Sequence, residues 1–524
     1  MYPVSDNYKE AIYAPVRTVK AKVTFDISDT TIAQDTITTD VTSEFTVSDK
    51  SQLTDKKRDN TYNYATFEPN RFRLDGSFSF ADDVITNNKD VGWCSTPLCD
   101  DISAFSTPQV LTFTFLNAHS SIGITVTFDT LNNEYATEFT IRAYDGNNIV
   151  LYTADVINNN LVQVATLGQF YLYKKIEITI NKWCKPLRRS RVTEVDFGVV
   201  RVYTDENLIK MSLIEELDLT TSKVPSAEFK FTVENANREF NILNPVGFYK
   251  FLQQRQQVIA ELGIDVGGTV EYVQLGNYLL WDWISDEGSL TASFTAKTNL
   301  DLMSSFNYEN LIAKSNYNLY QMAVVMFNIC GITNYEIDGA LQSINTLGLV
   351  KKNNCKNILQ MISIASCSNM YVSRDNIIVI KVSDLSIGTA VDIIDMDNMY
   401  KEPQIQLDAI VRGIDVAYYS NLDTKQVVNV NSPGVTIGDL LKLENNTLIN
   451  TPIRATNIAN WILRQKNYRA IYTANWRGNP AHELNDIVTI EDSYGQNKNA
   501  FITKNELNYQ GYLSGKTELR GEVT

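Results

Sequence analysis

The sequence predicts a mainly β protein with α+β character: two duplicated β-barrels, one small α+β domain and an inserted jelly-roll β-sandwich. Three observations carry this prediction. Tyr (27) and Phe (22) are abundant beside Thr and Val, the side chains that suit a pleated, half-buried surface. Short alternating segments follow one another between Arg71 and Val202, roughly 10–20 residues apart with turn residues between them, as in a sandwich. The order of elements in residues 222–296 returns in residues 390–524, a duplication of arrangement rather than of identity.

A chain of 524 residues is too long for one core and suits three or four domains of roughly 100–200 residues. The boundaries read as 1–60 and 205–300 for the first barrel, 61–204 for the sandwich inserted into it, 301–389 for the α+β domain, and 390–524 for the second barrel with the C-terminal strands. Such an insertion destabilises little, because loop-closure entropy grows only logarithmically with length. A hydrophobic share of 44% and a charged share of 20% are globular and argue against long disordered tails.

Residues 18–28 alternate as a strand with no hairpin partner before 42–48, which assigns them to the first barrel. The sandwich strands read as 72–80, 111–116, 123–129, 139–144, 149–156 and 175–180, closed by 199–203, with Asp145, Gly146 and Asn147 marking a turn. In the barrel, Phe229, Phe231 and Val233 alternate with Lys230 and Thr232. Asn244, Pro245 and Gly247 then punctuate the chain, Phe248, Phe251 and Leu252 recur at a helical interval, and Gly267-Gly268 suits a hairpin turn.

Between Asp301 and Asp384 the period changes to that of helices. Leu319, Met322, Ala323, Met326 and Ile329 share one face, and Gly331 is placed to end that helix in a left-handed cap. Asn354 is the N-cap of a second helix buried through Leu359, Ile362 and Ala365, which leads to a hairpin turning at Arg374, Asp375 and Asn376. Farther on, two strands at 410–420 and 425–432 precede a helix with Ala455, Ile458, Ala459, Ile462 and Leu463 on one side. Three strands, 486–492, 499–511 and 512–521, finish the chain.

The formal charge of −15 sets the surface against phosphate backbones, so sequence-nonspecific nucleic-acid binding is not expected. The first 17 residues carry acidic groups and no apolar core segment, and no run approaches the ~18 apolar residues of a membrane span. Synthesis in the cytoplasm without a signal peptide is the expectation. The six cysteines show no CxxC spacing, and with only His119 and His482 to add, no metal site and no cofactor are expected. Cys94 and Cys99 read as buried free thiols, with a small disulfide loop as the alternative. Cys330 and Cys367, near the helix ends, are accounted for by packing.

No HExxH, GxSxG, P-loop or strand-following GxGxxG occurs, so no catalytic residues are assigned. His482 reads as a surface histidine between a turn and a strand, and His119 as structural. Adjacent carboxylates at Asp82-Asp83, Asp100-Asp101 and Glu215-Glu216 point to opposite faces of a strand and cannot together flank a sugar; solvated loop charge is the simpler reading, with calcium at the first two pairs as the alternative. Trp93, Tyr135 and Tyr144 are the candidate carbohydrate-stacking residues of the sandwich. Trp281, Trp283 and Trp476 flank barrel strands and are the candidate interface residues.

The run VPSAEFKFTVENANREFNILNPVGFYKFLQQRQQVIAELG, followed by EYVQLGNYLLWDW and TASFTAKTNLDLM, resembles the tail hub or baseplate hub proteins of phages and prophages of Gram-positive bacteria, a group related to the N-terminal part of tail-associated lysins. YQMAVVMFNICGI and NILQMISIASCSNMYVSRDN are similar to the second domain of those hubs, and residues 399–492 to their C-terminal barrel. ATFEPNRFRLDGSF resembles hubs with an inserted domain. The resemblance implies a homotrimer in which two hub-type barrels per chain alternate around an axis to give pseudo-sixfold symmetry. The implied partners are a hexameric distal tail or tail tube ring protein, the tape measure protein and tip or receptor-binding proteins, at the tip of a virion tail through which DNA passes without specific binding. Relatives that carry a lytic domain have it after the last barrel, whereas this chain stops at Thr524, so no enzymatic activity is expected. The alternative functions are a carbohydrate-binding adhesion component acting through the sandwich and a cell-wall hydrolase.

Overall fold

The computed structural model describes residues 1–28, 32, 35, 37–56, 63–80, 91–220, 222–238, 240–241, 243, 252, 255–285, 288, 290–383, 387–495 and 497–522. The helix expected around Phe248 and Phe251 and the Asp82-Asp83 pair lie outside these residues; Leu252 is buried.

In chain order, α1 (Asp6–Tyr13) and β1 (Val19–Ser28) precede β2 (Ile37–Val41), β3 (Trp93–Cys94), β4 (Ala104–Thr127), β5 (Ala136–Tyr144), β6 (Val150–Val156), β7 (Gln163–Trp183), β8 (Arg191–Val192), β9 (Glu194–Asp196) and β10 (Gly198–Thr204). Next come β11 (Leu208–Glu216), β12 (Ser226–Glu234), β13 (Gln257–Asp265), β14 (Val270–Ile284), β15 (Thr291–Lys297), α2 (Asn299–Leu302), β16 (Asn307–Asn310), α3 (Leu319–Ile329), β17 (Tyr335–Ile337), β18 (Val350–Asn354), α4 (Cys355–Ser366), β19 (Ser368–Val372) and β20 (Ile378–Val382). The last part holds β21 (Asp392–Ile394), β22 (Gln404–Leu407), β23 (Val411–Tyr419), β24 (Lys425–Asn431), β25 (Asp439–Leu443), α5 (Pro452–Lys466), β26 (Ala470–Trp476), β27 (Ile487–Glu491), β28 (Asn497–Tyr509) and β29 (Leu513–Gly521). The protein is mainly β with a minority of helix, as the β-branched and aromatic composition predicts.

Two compact units result: residues 1–24 with 202–524, and residues 25–201. The second unit includes residues 37–41, which lie before residue 61. Its β2 pairs with β4, so residues 37–41 belong with the strands expected of the sandwich. Among the described residues, β2-β4-β7-β5-β6 form one sheet, with β9 on the C-terminal half of β4, while β3 pairs with β8. β4 and β7 are long strands that pair through a bulged stretch between Thr114 and Gly123. Leu111, Phe113, Ile124, Ile141, Ile176 and Ile178 are fully buried in the core of this unit.

The long sheet, most of whose strands belong to the first unit, runs in the order β10-β1-β13-β14-β15-β12-β11-β28-β29-β26-β22. β1 lies between β10 and β13, remote from it in sequence. Antiparallel pairing of β11 with β28, Met211 opposite Tyr509 and Glu216 opposite Lys504, carries the sheet from the strands of 208–297 into those of 470–521. Gly267 and Gly268 turn the β13–β14 hairpin with φ of 89° and 97°, a region open to glycine without strain. β23, β24 and β25 form their own three-stranded sheet, against which α5 packs, rather than joining the long sheet.

α3 is held at its start by a capping box between Asn318 and Gln321 and leads through Cys330 to Gly331 at φ 66°. Leu319, Met322, Ala323 and Met326 are buried as expected; Ile329 is exposed, and Phe327 takes its place in the core, stacked on Tyr335. α4 starts at the Asn354 cap and buries Leu359, Ile362 and Ala365 in the same core cluster as the expected face of α5.

Candidate assembly interface

The continuous part of the long sheet supplies the site. Along β11, Met211, Leu213 and Glu215 are buried, while Lys210, Ile214 and Glu216 are exposed, the period-two alternation of a one-sided strand. On β14 the alternation is reset by a bulge: Leu280 pairs with Ala296 and Asp282 with Thr295, leaving Trp281 as the extra residue. Trp281 and Asp282 therefore both leave the core, and Trp283 turns back toward it opposite Phe294. A groove of about 550 Å³ lies here, with Trp283, Ile284, Lys210, Lys230, Ser293 and Asn508 among its walls. Its lining comes from β11, β12, β14, β15, β28 and β29, so it exists only because those strands share one sheet.

The three candidate interface tryptophans are not equivalent. Trp281 is half-buried, its ring covered by the Arg255 guanidinium at 3.3 Å from the centroid and approached by Lys297 at 5.0 Å, a cation–π arrangement. Trp283 is half-buried in the groove wall, and its neighbour Ile284 is 62% exposed. Trp476 is fully buried, its indole N–H donating to Thr517 Oγ1 at 2.9 Å and its ring stacked on His482. A partner cannot touch it without unfolding β26, so its candidacy as an interface residue is withdrawn.

Arg374 is the residue that sequence reasoning passed over. It occupies the β19–β20 turn, yet is only 2% exposed. Its Nη1 donates to Glu215 Oε1 at 2.9 Å and to the Leu275 carbonyl at 2.8 Å; Nη2 donates to the His482 carbonyl at 2.9 Å. One guanidinium thus joins β11, β14, the α+β segment and the loop before β27. Burial raises the pKa of the Glu215 carboxyl, and the Arg374 charge opposes that rise. Leu275 is itself the extra residue of a bulge, since Ala260 faces Gly276 while Glu261 faces Gln274. The only signal for this junction in the sequence is Gly276 inside a strand, a mark of bulges and close approach.

His482 is fully buried, not a surface residue. Its Nε2 lies 2.7 Å from Asp392 Oδ2, which also accepts from the Tyr13 hydroxyl and from Asn479 Nδ2. Burial acts to raise the Asp392 pKa, but the contacts with His482 and Tyr13 leave it below the usual carboxylate value. Glu215 and Glu216 face opposite ways, the first onto Arg374 and the second onto Lys504. Asp100 is spent on the amides of Ile102 and Ala104.

In the second unit, Trp93 is fully buried with its N–H on the Ser43 carbonyl at 2.8 Å, so it offers no ring face to a sugar. Tyr135 and Tyr144 are half-buried, and Lys175 sits 4.0 Å from the Tyr144 ring centroid. The three expected carbohydrate residues therefore do not form a common platform. His119 is buried 2.8 Å from Asp35 and packs edge-on to Phe115, a structural role. Cys94 and Cys99 are free and buried. A buried ion network fixes the segment around Glu68: Glu68 pairs with Arg191, and Arg71 reaches Asp129 at 3.0 Å and Glu134 at 3.3 Å. Beyond that anchor Phe67, Phe72 and Phe80 are exposed.

No protein-family model and no curated protein sequence matches the chain. Among solved structures it is similar to a tail protein from Neisseria meningitidis MC58, with a TM-score of 0.42 and 12% identity over 61% of this chain and 93% of the other. It is also similar to the 43 kDa tail protein of prophage MuSo2 from Shewanella oneidensis, with a TM-score of 0.38 and 12% identity over 61% of this chain and 94% of that one. A third likeness is to the prophage tail protein gp18 from Listeria monocytogenes EGD-e, with a TM-score of 0.38 and 12% identity over 61% and 91%.

Proposed function

We propose that the chain is a structural, non-enzymatic hub of a phage or phage-like tail, three copies of which form a ring at the tail tip. The observation that carries this reading is the β11–β28 pairing, which places strands from two sequence-distant halves in one continuous sheet. A chain that brings two such halves to one sheet can repeat them around an axis through heterologous contacts that close. The far end of the sheet suits such contacts: β22 is an edge strand whose four residues are all exposed, Ile405 and Leu407 among them. The groove beside Trp283 and Ile284 supplies a second partly apolar surface. The sequence resemblance to tail hubs gives the same answer from the residues. In this role the ring joins a hexameric distal tail or tube ring to the tip components, and the net charge of −15 favours the passage of DNA without retention.

The mass of the purified full chain in solution tests the ring. Light scattering is expected to give three times 59.2 kDa. A concentration-independent monomer or a dimer would overturn the reading.

A further inference from the structure

Beside the Arg374–Glu215 pair lies a cavity of about 10 Å³, walled by Glu215 of β11, Gly276 and Asn277 of β14, Thr298, and Ser373 and Asn376 of the β19–β20 turn. The polar atoms around it are incompletely satisfied. Glu215 Oε2, Asn277 Oδ1 and Asn376 Oδ1 are buried and accept no hydrogen bond from a protein group, and Arg374 Nε has no acceptor. Glu215 Oε2 does stand 2.9 Å from Arg374 Nη2, an ion-pair distance without the alignment of a hydrogen bond. A buried polar atom left in this condition costs about 1–3 kcal/mol, and three of these atoms belong to residues that wall the cavity, which favours a ligand there that hydrogen-bonds them.

Size and chemistry narrow that ligand. A cavity of this kind needs roughly 10–15 Å³ to admit one water, so there is room for one small molecule and no second. The walls offer carboxylate and amide oxygens as acceptors, beside apolar surface from Ala227, Leu275 and Val372. An anion would meet three oxygens. A cation would add charge to a Glu215 that Arg374 already neutralises. Water gives two protons to such oxygens and brings no charge.

We propose that this cavity is the binding site of a single structural water that links Asn277 of β14 and Asn376 of the β19–β20 turn to the Arg374–Glu215 pair. The water extends the junction made by the guanidinium, so the α+β segment is tied to the long sheet by one charged fork and one solvent molecule. Bridging waters of this kind are nearly as effective as direct hydrogen bonds.

A crystal structure of the full chain at a resolution that defines ordered solvent tests the site. One peak is expected in the cavity, about 2.7–3.2 Å from at least two of the three oxygens Glu215 Oε2, Asn277 Oδ1 and Asn376 Oδ1. Direct pairing of the two asparagines with Glu215 in a cavity without solvent would overturn the proposal, as would the shorter contacts of a cation. Thermal unfolding of Asn277→Ala, Asn376→Gly and the double variant provides a second test. Asn376 has φ 58°, which glycine adopts freely, so the second variant keeps its backbone. Each single variant is expected to lower the midpoint by a few degrees, and the double variant no further than the larger single. Fully additive losses would contradict a shared water.

Discussion

Removing the Arg374 guanidinium would leave Glu215 as a buried carboxylate without a counter-charge and free two carbonyls of their donors. Breaking one side of a buried pair typically costs about 3–5 kcal/mol. Arg374→Met is therefore expected to lower the unfolding free energy of the first unit, read from urea denaturation, by an amount in that range. Arg374→Lys should recover only part of it, since a single ammonium cannot span Glu215, Leu275 and His482 together. Equal midpoints for wild type and both variants would remove Arg374 from its place at the junction. Glu68 gives a second prediction at this scale. Burial works to raise its pKa, but the Arg191 guanidinium and Thr66 together bring it from 4.5 down to about 2. A depressed folded pKa means that the carboxylate stabilises the second unit above pH 4.5 and loses that contribution as pH falls toward about 2. Glu68→Gln should flatten the acid limb of stability against pH, and parallel curves would contradict the pairing. Neither pair is legible in the sequence, because Arg374 sits in a turn and Glu68 beside a proline, positions that ordinarily place a charge in water. The same holds for His482, whose acidic neighbours in sequence are not its partner; Asp392, ninety residues away, is. Buried polar contacts across such distances leave no local pattern.

Local chemistry is far more readable at the scale of elements. The N-cap Asn354, the glycine that ends α3 and the glycine pair of the β13–β14 hairpin all stand where the residue types require them. Asn354→Ala removes the acceptor of the Asn357 amide and should cost about 1 kcal/mol of stability, read as a shift in the denaturation midpoint. An unchanged midpoint would show that packing of Cys355 and Leu359 alone fixes the start of α4. Bulges were less legible, since each resets an otherwise regular alternation. The one at Trp281 sets Trp283 in the wall of a groove, and the one at Leu275 turns its carbonyl to Arg374. In the second unit, period-two patterning located most strands but not the continuity of β4 and β7. The bulged pairing around His119 breaks the pattern midway and reads as a turn.

For the whole molecule, the sequence made the mainly β class and the remote origin of β1 legible, because both follow from composition and alternation. It did not reveal that β11 pairs with β28, since antiparallel edges carry no mark of which edge they will meet. That pairing creates the surface on which assembly is proposed. Ile284→Asp places a charge on this surface without touching the core and is expected to shift the mass of the full chain from three copies toward one while the far-UV circular dichroism stays unchanged. Retention of the trimer in that variant would move the interface elsewhere on the sheet. The most direct test of the central claim is a cryo-EM map of the assembled tail tip that contains this chain. Three copies are expected around the tail axis, with the strands of 208–297 and 470–521 alternating in a closed ring. A ring with any other number of copies, or a chain found away from the axis, would contradict it.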